Sequence, residues 1–409
     1  WNPLAWFQNE KFDRDQIEAD RIAIRSACVS RGYLDAEVGE PELARRRSGS
    51  YDVSYKVKEG RLYRIGGVSI RGVTLFPEIE LVRLIALRKG AVASLDEISR
   101  TAEAIRKYYT DCGYIRSTVK PVFDPRGDDV SGEGVLDVAF VVTEGGLVHV
   151  RNIYVKGNAM TKDHVIRREL TIFPGDVFAE GNVKHSERRL VNLGYFSRVA
   201  GHPEFFGQQD RADLVFDVEE QRTGTIMVGG GFSSVDNFVG TFEISEGNFD
   251  IGSWPPKGGG QNLRLFGQVG SRTTQGSISF AEPWFLDRRL RLVLDLYANS
   301  YDYNEYNRQS AGGAVTLGWP VNFFLGRCET KYSLERLEVA DVSDTNEYER
   351  VSGDRAGEPY YFTSTNQVKS TLSVLLYRDT RDEAFAPTRG YRISAKGSVS
   401  GGILGGDMD

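Results

Sequence analysis

Two rhythms of apolar and polar positions divide the chain near Arg222. Before it, helix-like and strand-like runs follow one another; after it, only two-residue alternation remains. Three runs carry apolar residues at helical spacing. "DRDQIEADRIAIRSACVSRGY" places Ile17, Ile24 and Cys28 on one face. "SLDEISRTAEAIRKYYTDCGY" does so with Ile98, Ala102, Ile105 and Tyr109, and "AEGNVKHSERRLVNLGY" with Val183 and Leu190. Ser94 with Glu97 forms a capping-box signature before the second run. Each run ends in Gly-Tyr, and Gly32, Gly113 and Gly194 are separated by 81 residues in both intervals. The glycine supplies a turn where the helix stops. The tyrosine reads as a core or corner residue rather than a ligand contact.

The neighbouring segments recur too. Alternating strands "YDVSYKVKEG", "LDVAFVVTEGG" and "DLVFDVEEQ" end in acidic residues, with Glu59 and Glu144 85 residues apart. Short strands "GVSIRG" and "NIYVKGN" open the next units, and first helices are predicted over "EIELVRLIALRKG" and "KDHVIRRELTIFPG". Gly72 and Gly157 keep the 85-residue spacing, as do Gly90 and Gly175. The unit is strand, helix, helix, strand, strand, large enough for a core when helices cover one face of a short sheet. A partial unit is expected over 1–61 and complete ones over 62–146 and 147–222, joined with almost no linker into a semi-rigid chain.

From 223 onward the runs alternate. Leu290, Leu292, Leu294 and Leu296 oppose Arg291, Val293, Asp295 and Tyr297; Tyr391, Ile393 and Ala395 oppose Arg392, Ser394 and Lys396. Eight strands are predicted between about 223 and 378 and a ninth from 390, in up-and-down antiparallel order, with longer polar loops such as 340–364. One face is apolar; the other carries Arg, Lys, Asp, Ser and Gly. Pattern alone leaves open which face is inside. Strand length, the small and charged residues gathered on one face, and aromatics near strand ends (Trp254, Trp284, Phe285, Trp319, Phe323, Phe324) favour a membrane barrel over a soluble barrel or sandwich.

Composition narrows the chemistry. The net charge of −6 gives no basic footprint, so nucleic acid is not an expected partner. Cys28, Cys112 and Cys328 fit neither a disulfide framework nor a zinc site; Cys28 and Cys112 read as buried small apolar residues in helical runs. His149, His164, His185 and His202 lack metal spacing. The glycines of "VGGGF" and "KGGGQN" precede no helix and lack a phosphate-loop ending, so they read as strand glycines and a loop. The carboxylates of "YRDTRDEAF" read as a solvated charge network at a turn. No catalytic constellation stands out; neither enzyme activity nor a cofactor or metal is expected. The chain, starting at Trp1 and stopping at "GGILGGDMD", reads as a piece of something longer.

These modules feeding a barrel resemble the BamA-type outer-membrane assembly proteins, whose periplasmic repeats are called POTRA domains. The resemblance rests on "VRNIYVKGNAMTKDHVIRREL", "RRLVNLGYFSRV" and "DLVFDVEEQRTGTIMVGGGFSS", which look like the last POTRA passing into the first barrel strand. "AEPWFLDRRL", "VTLGWPV" and "RDTRDEAFAPTRGY" resemble family turns and strand ends. The fold class implied is α+β POTRA repeats (β-α-α-β-β) followed by the N-terminal part, 223–409, of an antiparallel transmembrane β-barrel of about sixteen strands. The implied function is folding and insertion of β-barrel proteins into a Gram-negative outer membrane, with the POTRA domains in the periplasm. Implied partners are unfolded outer-membrane proteins, a BamD-type lipoprotein and other Bam lipoproteins, periplasmic chaperones and outer-membrane lipid. The expected pairing edge is the first barrel strand: Thr225, Ile226, Met227, Val228, Gly229, Gly230, Gly231 and Phe232. Its glycines either weaken the strand so that it unzips or only let the sheet curve. Arg167 and Arg168 are lipoprotein-docking candidates, although Pro174 stands where family members can carry an acid. A TamA-like or two-partner-secretion barrel is the alternative.

Overall fold

The computed structural model describes residues 14–46, 51–128, 133–207, 210–233, 236–304, 306–321, 326–341, 365–381 and 387–406. Phe323, Phe324, most of the 340–364 loop and residues 382–385 of the acidic turn lie outside them. The chain divides into two compact units. One comprises 1–154, 171–186 and 201–215; the other comprises 155–170, 187–200 and 216–409.

The first module has α1 (Arg14–Ser30) and two short antiparallel pairs. In these, β1 (Glu37–Val38) pairs with β4 (Val57–Lys58), and β2 (Glu42–Arg45) with β3 (Tyr51–Ser54). The single strand expected over "YDVSYKVKEG" is thus two. Half-buried Tyr55, in the break, donates its hydroxyl to the Ile17 carbonyl of α1 at 2.9 Å.

The second module runs β5 (Tyr63–Arg71), α2 (Glu78–Val82), α3 (Leu95–Asp111), β6 (Thr118–Asp128), β7 (Gly134–Thr143). The last strand lies in the middle, parallel to β5 and antiparallel to β6. Strict alternation along β7 sends Leu136, Val138, Phe140 and Val142 into a core closed by Ile98, Ile105 and Tyr109 of α3. The third module repeats the order with β8 (His149–Lys156), α4 (Asp163–Arg167), α5 (Glu180–Asn192), β9 (Phe196–Glu204) and β10 (Arg211–Glu220), its strands arranged β8-β10-β9.

The predicted first helices shrink to five residues each, α2 and α4. Beyond α2 the chain tightens, with Leu84 and Ile85 amides bonding to Leu81 and Val82 carbonyls. Leu81 and Leu87 are buried, with Leu84 and Ile85 packed beside them. A longer regular helix would turn some of these four toward water, so packing overrides propensity. Ser94 occupies the N-cap of α3, but its side chain makes no capping bond. Cys28 and Cys112 are half-buried rather than buried, because α1 and the end of α3 leave one side open; Cys328 on a later strand is the buried one.

After β10 the described residues form one nine-stranded antiparallel sheet in sequence order. Its strands are β11 (Gly224–Ser233), β12 (Asn237–Phe249), β13 (Gln261–Gly270), β14 (Thr273–Glu282), β15 (Arg291–Asp302), β16 (Asn307–Val321), β17 (Gly326–Ala340), β18 (Thr365–Asp379) and β19 (Arg392–Ser400). Register sorts side chains into continuous rows. Leu263, Phe280, Leu294, Val315, Tyr332, Leu372 and Val399 face one another along one side. Arg264, Ser279, Asp295, Ala314, Ser333 and Thr371 run along the other. On the central strands the apolar positions Leu294, Leu296, Val315 and Tyr332 are exposed: Leu296 is 60% accessible, whereas Val293 on the polar face is 8%. An exposed apolar surface of this extent needs hydrocarbon, not water, so the apolar face is the lipid face. No helix among the described residues is long and apolar enough to cross a membrane.

Candidate functional site at the first sheet strand

The expected pairing edge, Thr225 to Phe232, falls inside β11, at one end of the sheet. Among the described residues its strand partner is β12, in unbroken register from Gly224 opposite Glu246 to Ser233 opposite Asn237. Alternation holds: Ile226, Val228 and Phe232 belong to the exposed apolar face, and Phe232 meets Phe238 edge-on at 5.8 Å. The glycines are not alike. A side chain at Gly229 would crowd the Thr241 hydroxyl, one at Gly230 would touch the Phe238 ring, and one at Gly231 would meet nothing within 4 Å.

The N-terminal end of β11 is firmly held. The Gln221 amide donates to the Tyr195 carbonyl at 2.9 Å, and its side-chain nitrogen to the Gly194 carbonyl at 2.9 Å. The Thr223 hydroxyl bonds to Glu246, and the Thr223 carbonyl accepts from the Gly247 amide at 3.2 Å.

Two turns of the sheet meet the same part of the third module, all within the second compact unit. In the β12–β13 turn, the Lys162 amide donates to the Gly258 carbonyl at 3.0 Å, and Tyr195 donates its hydroxyl to the Gly260 carbonyl at 3.3 Å. Buried Asn248 donates to the Thr161 hydroxyl at 2.9 Å and accepts from the Gly260 amide at 2.9 Å, while Lys162 pairs with Asp250. Gly258 and Gly260 have φ of +97° and +74°; a Cβ would overlap the Met160 carbonyl at the first and Val165 with Arg168 at the second. In the β14–β15 turn, the Trp284 indole nitrogen donates to Glu169 at 2.8 Å, and Arg189 donates to the other Glu169 oxygen at 2.6 Å.

The two docking arginines part company. Arg167 is exposed and pairs with Asp163 one turn back. Arg168 is half-buried, with its guanidinium 5.7 Å from the Trp284 ring centre. Burial pushes the Tyr195 phenol up to about 12, Arg168 opposing and Glu169 adding to the rise. Sequence reasoning missed Gly258, Gly260, Glu169 and Trp284 as one constellation. The available signal was the run of glycines in "KGGGQN", which lie in a turn as expected but are required there by close backbone approach.

The acidic strand ends also acquire a task. Glu144 accepts the amides of Thr74 and Leu75 at 2.9 and 3.0 Å, and Glu220 those of Met160 and Thr161 at 2.9 and 2.6 Å. Each carboxylate staples the loop after its module's first strand. Burial pushes the Glu220 carboxyl up, but the Thr161 hydroxyl and the loop amides outweigh it and hold it below the usual range.

Comparison with known proteins agrees with this architecture. The Omp85 superfamily domain matches residues 257–409. The POTRA family, described as a surface antigen variable number repeat, matches 4–60, 63–145 and 148–221. The outer membrane protein assembly factor BamA of Nitratidesulfovibrio vulgaris is 28% identical over 411 residues, covering 99% of this chain and 49% of that protein. A putative outer membrane protein assembly factor of Treponema pallidum is 31% identical over 312 residues, covering 74% of this chain and 36% of that protein. The chain thus spans about half the length of the first of these relatives and less of the second. The crystal structure of BamA from Haemophilus ducreyi lacking POTRA domains 1–3 shares the fold, with a TM-score of 0.64 at 22% identity over 83% of this chain and 64% of that one.

Proposed function

Since the chain belongs to the POTRA-bearing Omp85 superfamily, as a BamA-type member, we propose that it folds and inserts β-barrel proteins into the outer membrane by pairing their strands along β11. It is an outer-membrane protein with its POTRA modules in the periplasm. The observation that carries the reading is β11 itself: among the described residues it is an end strand of a lipid-facing sheet, pinned at one end and glycine-rich at the other. An edge strand offers main-chain donors and acceptors, and an incoming strand can add to it by β-augmentation. Main-chain pairing is sequence-tolerant, which suits a machine with many unfolded outer-membrane substrates delivered by periplasmic chaperones.

The test is cysteine cross-linking in the full-length protein during assembly. Single cysteines at 225–232 are expected to capture a substrate strand at alternate positions, as a strand geometry demands. Adducts equally frequent on β15, or none anywhere on β11, would sink the reading.

A BamD-type lipoprotein, with other Bam lipoproteins, is the proposed periplasmic partner. Arg167 is the arginine placed to meet it, because it is exposed on α4 while Arg168 turns to Trp284. Arg167→Glu is expected to weaken co-purification of the lipoprotein; undiminished capture would remove Arg167 from the interface.

A further inference from the structure

We propose that the β12–β13 and β14–β15 turns form a two-point clamp on the last POTRA module, which fixes where the edge strand β11 starts and so sets the register offered to a substrate. The consequence for register rests on the assembly reading; the clamp itself does not.

The first point is made of backbone. The Gly258 and Gly260 carbonyls receive the Lys162 amide and the Tyr195 hydroxyl, and neither glycine leaves room for a Cβ. Asn248, 4% exposed, ties both sides together through Thr161, itself 3% exposed. The second point is Glu169, 8% exposed, whose two carboxylate oxygens are taken by the Trp284 indole and by Arg189. The Arg168 guanidinium lies over the same indole. Asn248, Thr161 and Glu169, buried and paired in this way, hold one geometry, since a shift strands several partners at once.

Clamp and edge strand share residues. Tyr195 gives its hydroxyl to the Gly260 carbonyl and takes the Gln221 amide on its own carbonyl. Between Gln221 and Gly224, where β11 begins, Thr223 is bonded to Glu246, which also pairs with Lys257 of the clamping turn at 3.5 Å. A strand slipped by one residue presents the opposite set of side chains, so fixing the start of the template fixes which residues of a client meet lipid.

The test uses full-length protein in its membrane, spin-labelled at Arg188 of α5 and Leu296 of β15, both exposed and away from the clamp contacts. The unaltered protein is expected to give one narrow distance distribution. Gly258→Val, which drives a side chain into the Met160 carbonyl, is expected at least to double its width. Trp284→Phe, which keeps an aromatic ring but loses the indole donor, is expected to widen it less. Cross-linking from β11 in the same variants then reports register: adducts are expected to spread to positions silent in the unaltered protein. Heat-modifiable migration checks that each barrel has folded. A distribution already broad without substitution, or one unchanged in folded Gly258→Val and Trp284→Phe, overturns the clamp. A narrow distribution that widens as expected, with no substrate adducts from any variant, upholds the clamp and sinks the assembly reading instead.

Discussion

Tyr109 and Glu144 meet across the second module, the phenol donating to the carboxylate at 2.8 Å from 35 residues upstream. The same carboxylate holds the Thr74 hydroxyl and the amides of Thr74 and Leu75. One side chain therefore joins the long helix, the loop after the first strand and the end of the last strand. Its third-module counterpart, Glu220, takes the matching amides of Met160 and Thr161. The device belongs to the repeat.

That arrangement predicts a pH dependence. Burial pushes the Glu144 carboxyl up, but its hydrogen-bond donors outweigh burial and hold it at about 2. A group depressed on folding stabilises the fold above its unfolded value, about 4.3 for Glu, and loses that contribution as pH falls toward the folded value. Hydrogen exchange at Thr74 and Leu75 is expected to stay slow from neutral pH to about 4.3 and to lose protection, relative to unfolded chain, toward pH 2. Glu144→Gln removes the charge from these bonds, costs about 1–2 kcal/mol, and makes protection there independent of this titration.

The repeated Gly-Tyr corner predicts a position-dependent effect of adding one methyl group. Gly32 and Gly113 lie buried against the following module, where a Cβ would overlap Val92 or Val177. Their carbonyls accept the Tyr63 and Val148 amides at 2.9 and 3.0 Å. Gly194 is exposed, with nothing within 4 Å of a built Cβ. Gly113→Ala therefore carries a positive-φ cost of about 1–2 kcal/mol and an overpacking cost of about 1–3 kcal/mol, whereas Gly194→Ala carries only the first. Hydrogen exchange of the Val148 amide checks it: about tenfold or greater acceleration in Gly113→Ala, and no change there in Gly194→Ala.

The two faces of the sheet predict opposite responses to charge. Leu296→Arg places a cation on the lipid side and is expected to cost about 2–4 kcal/mol near the membrane midplane. Ser333→Arg, in the polar row with Asp295 and Ala314, is expected to be tolerated. The fraction of heat-modifiable barrel recovered on refolding into lipid vesicles separates them; equal recovery would mean the faces are assigned the wrong way round.

Much of this architecture is legible because period and spacing are backbone properties. The buried set Ile98, Ala102, Ile105 and Tyr109 follows from helical spacing, and the alternating rows follow from the pleat. Both spacings meet at the joints, since Val92 and Val177, 85 residues apart, cover Gly32 and Gly113, 81 residues apart. What stays hidden depends on partners distant in sequence. Nothing local tells Arg167 from Arg168; their difference is made by Trp284, more than a hundred residues away. The short α2 hides for the same reason, because its end is set by where Leu81 and Leu87 find the core. Gly258 and Gly260 look like loop residues until the Met160 carbonyl and Val165 are placed beside them.

The glycines of β11 allow the two meanings of a weak edge to be separated. Gly231 has open space where a side chain would go, so Gly231→Val fits without displacing a neighbour. Valine favours the pleated conformation, by up to about 1 kcal/mol over glycine. The substitution is therefore expected to tighten the pairing of β11 with β12 while leaving the barrel folded. If the glycine serves to let the strand release, insertion of a reporter barrel into vesicles slows severalfold and urea resistance rises. If it serves only to let the sheet bend, insertion keeps its rate. Gly229 is a poorer probe, since a side chain there meets the Thr241 hydroxyl at 2.8 Å and would disturb packing whatever its role. Slowed insertion with a more stable barrel is the expected outcome, because a β11 held more stiffly against β12 adapts less readily to an incoming strand.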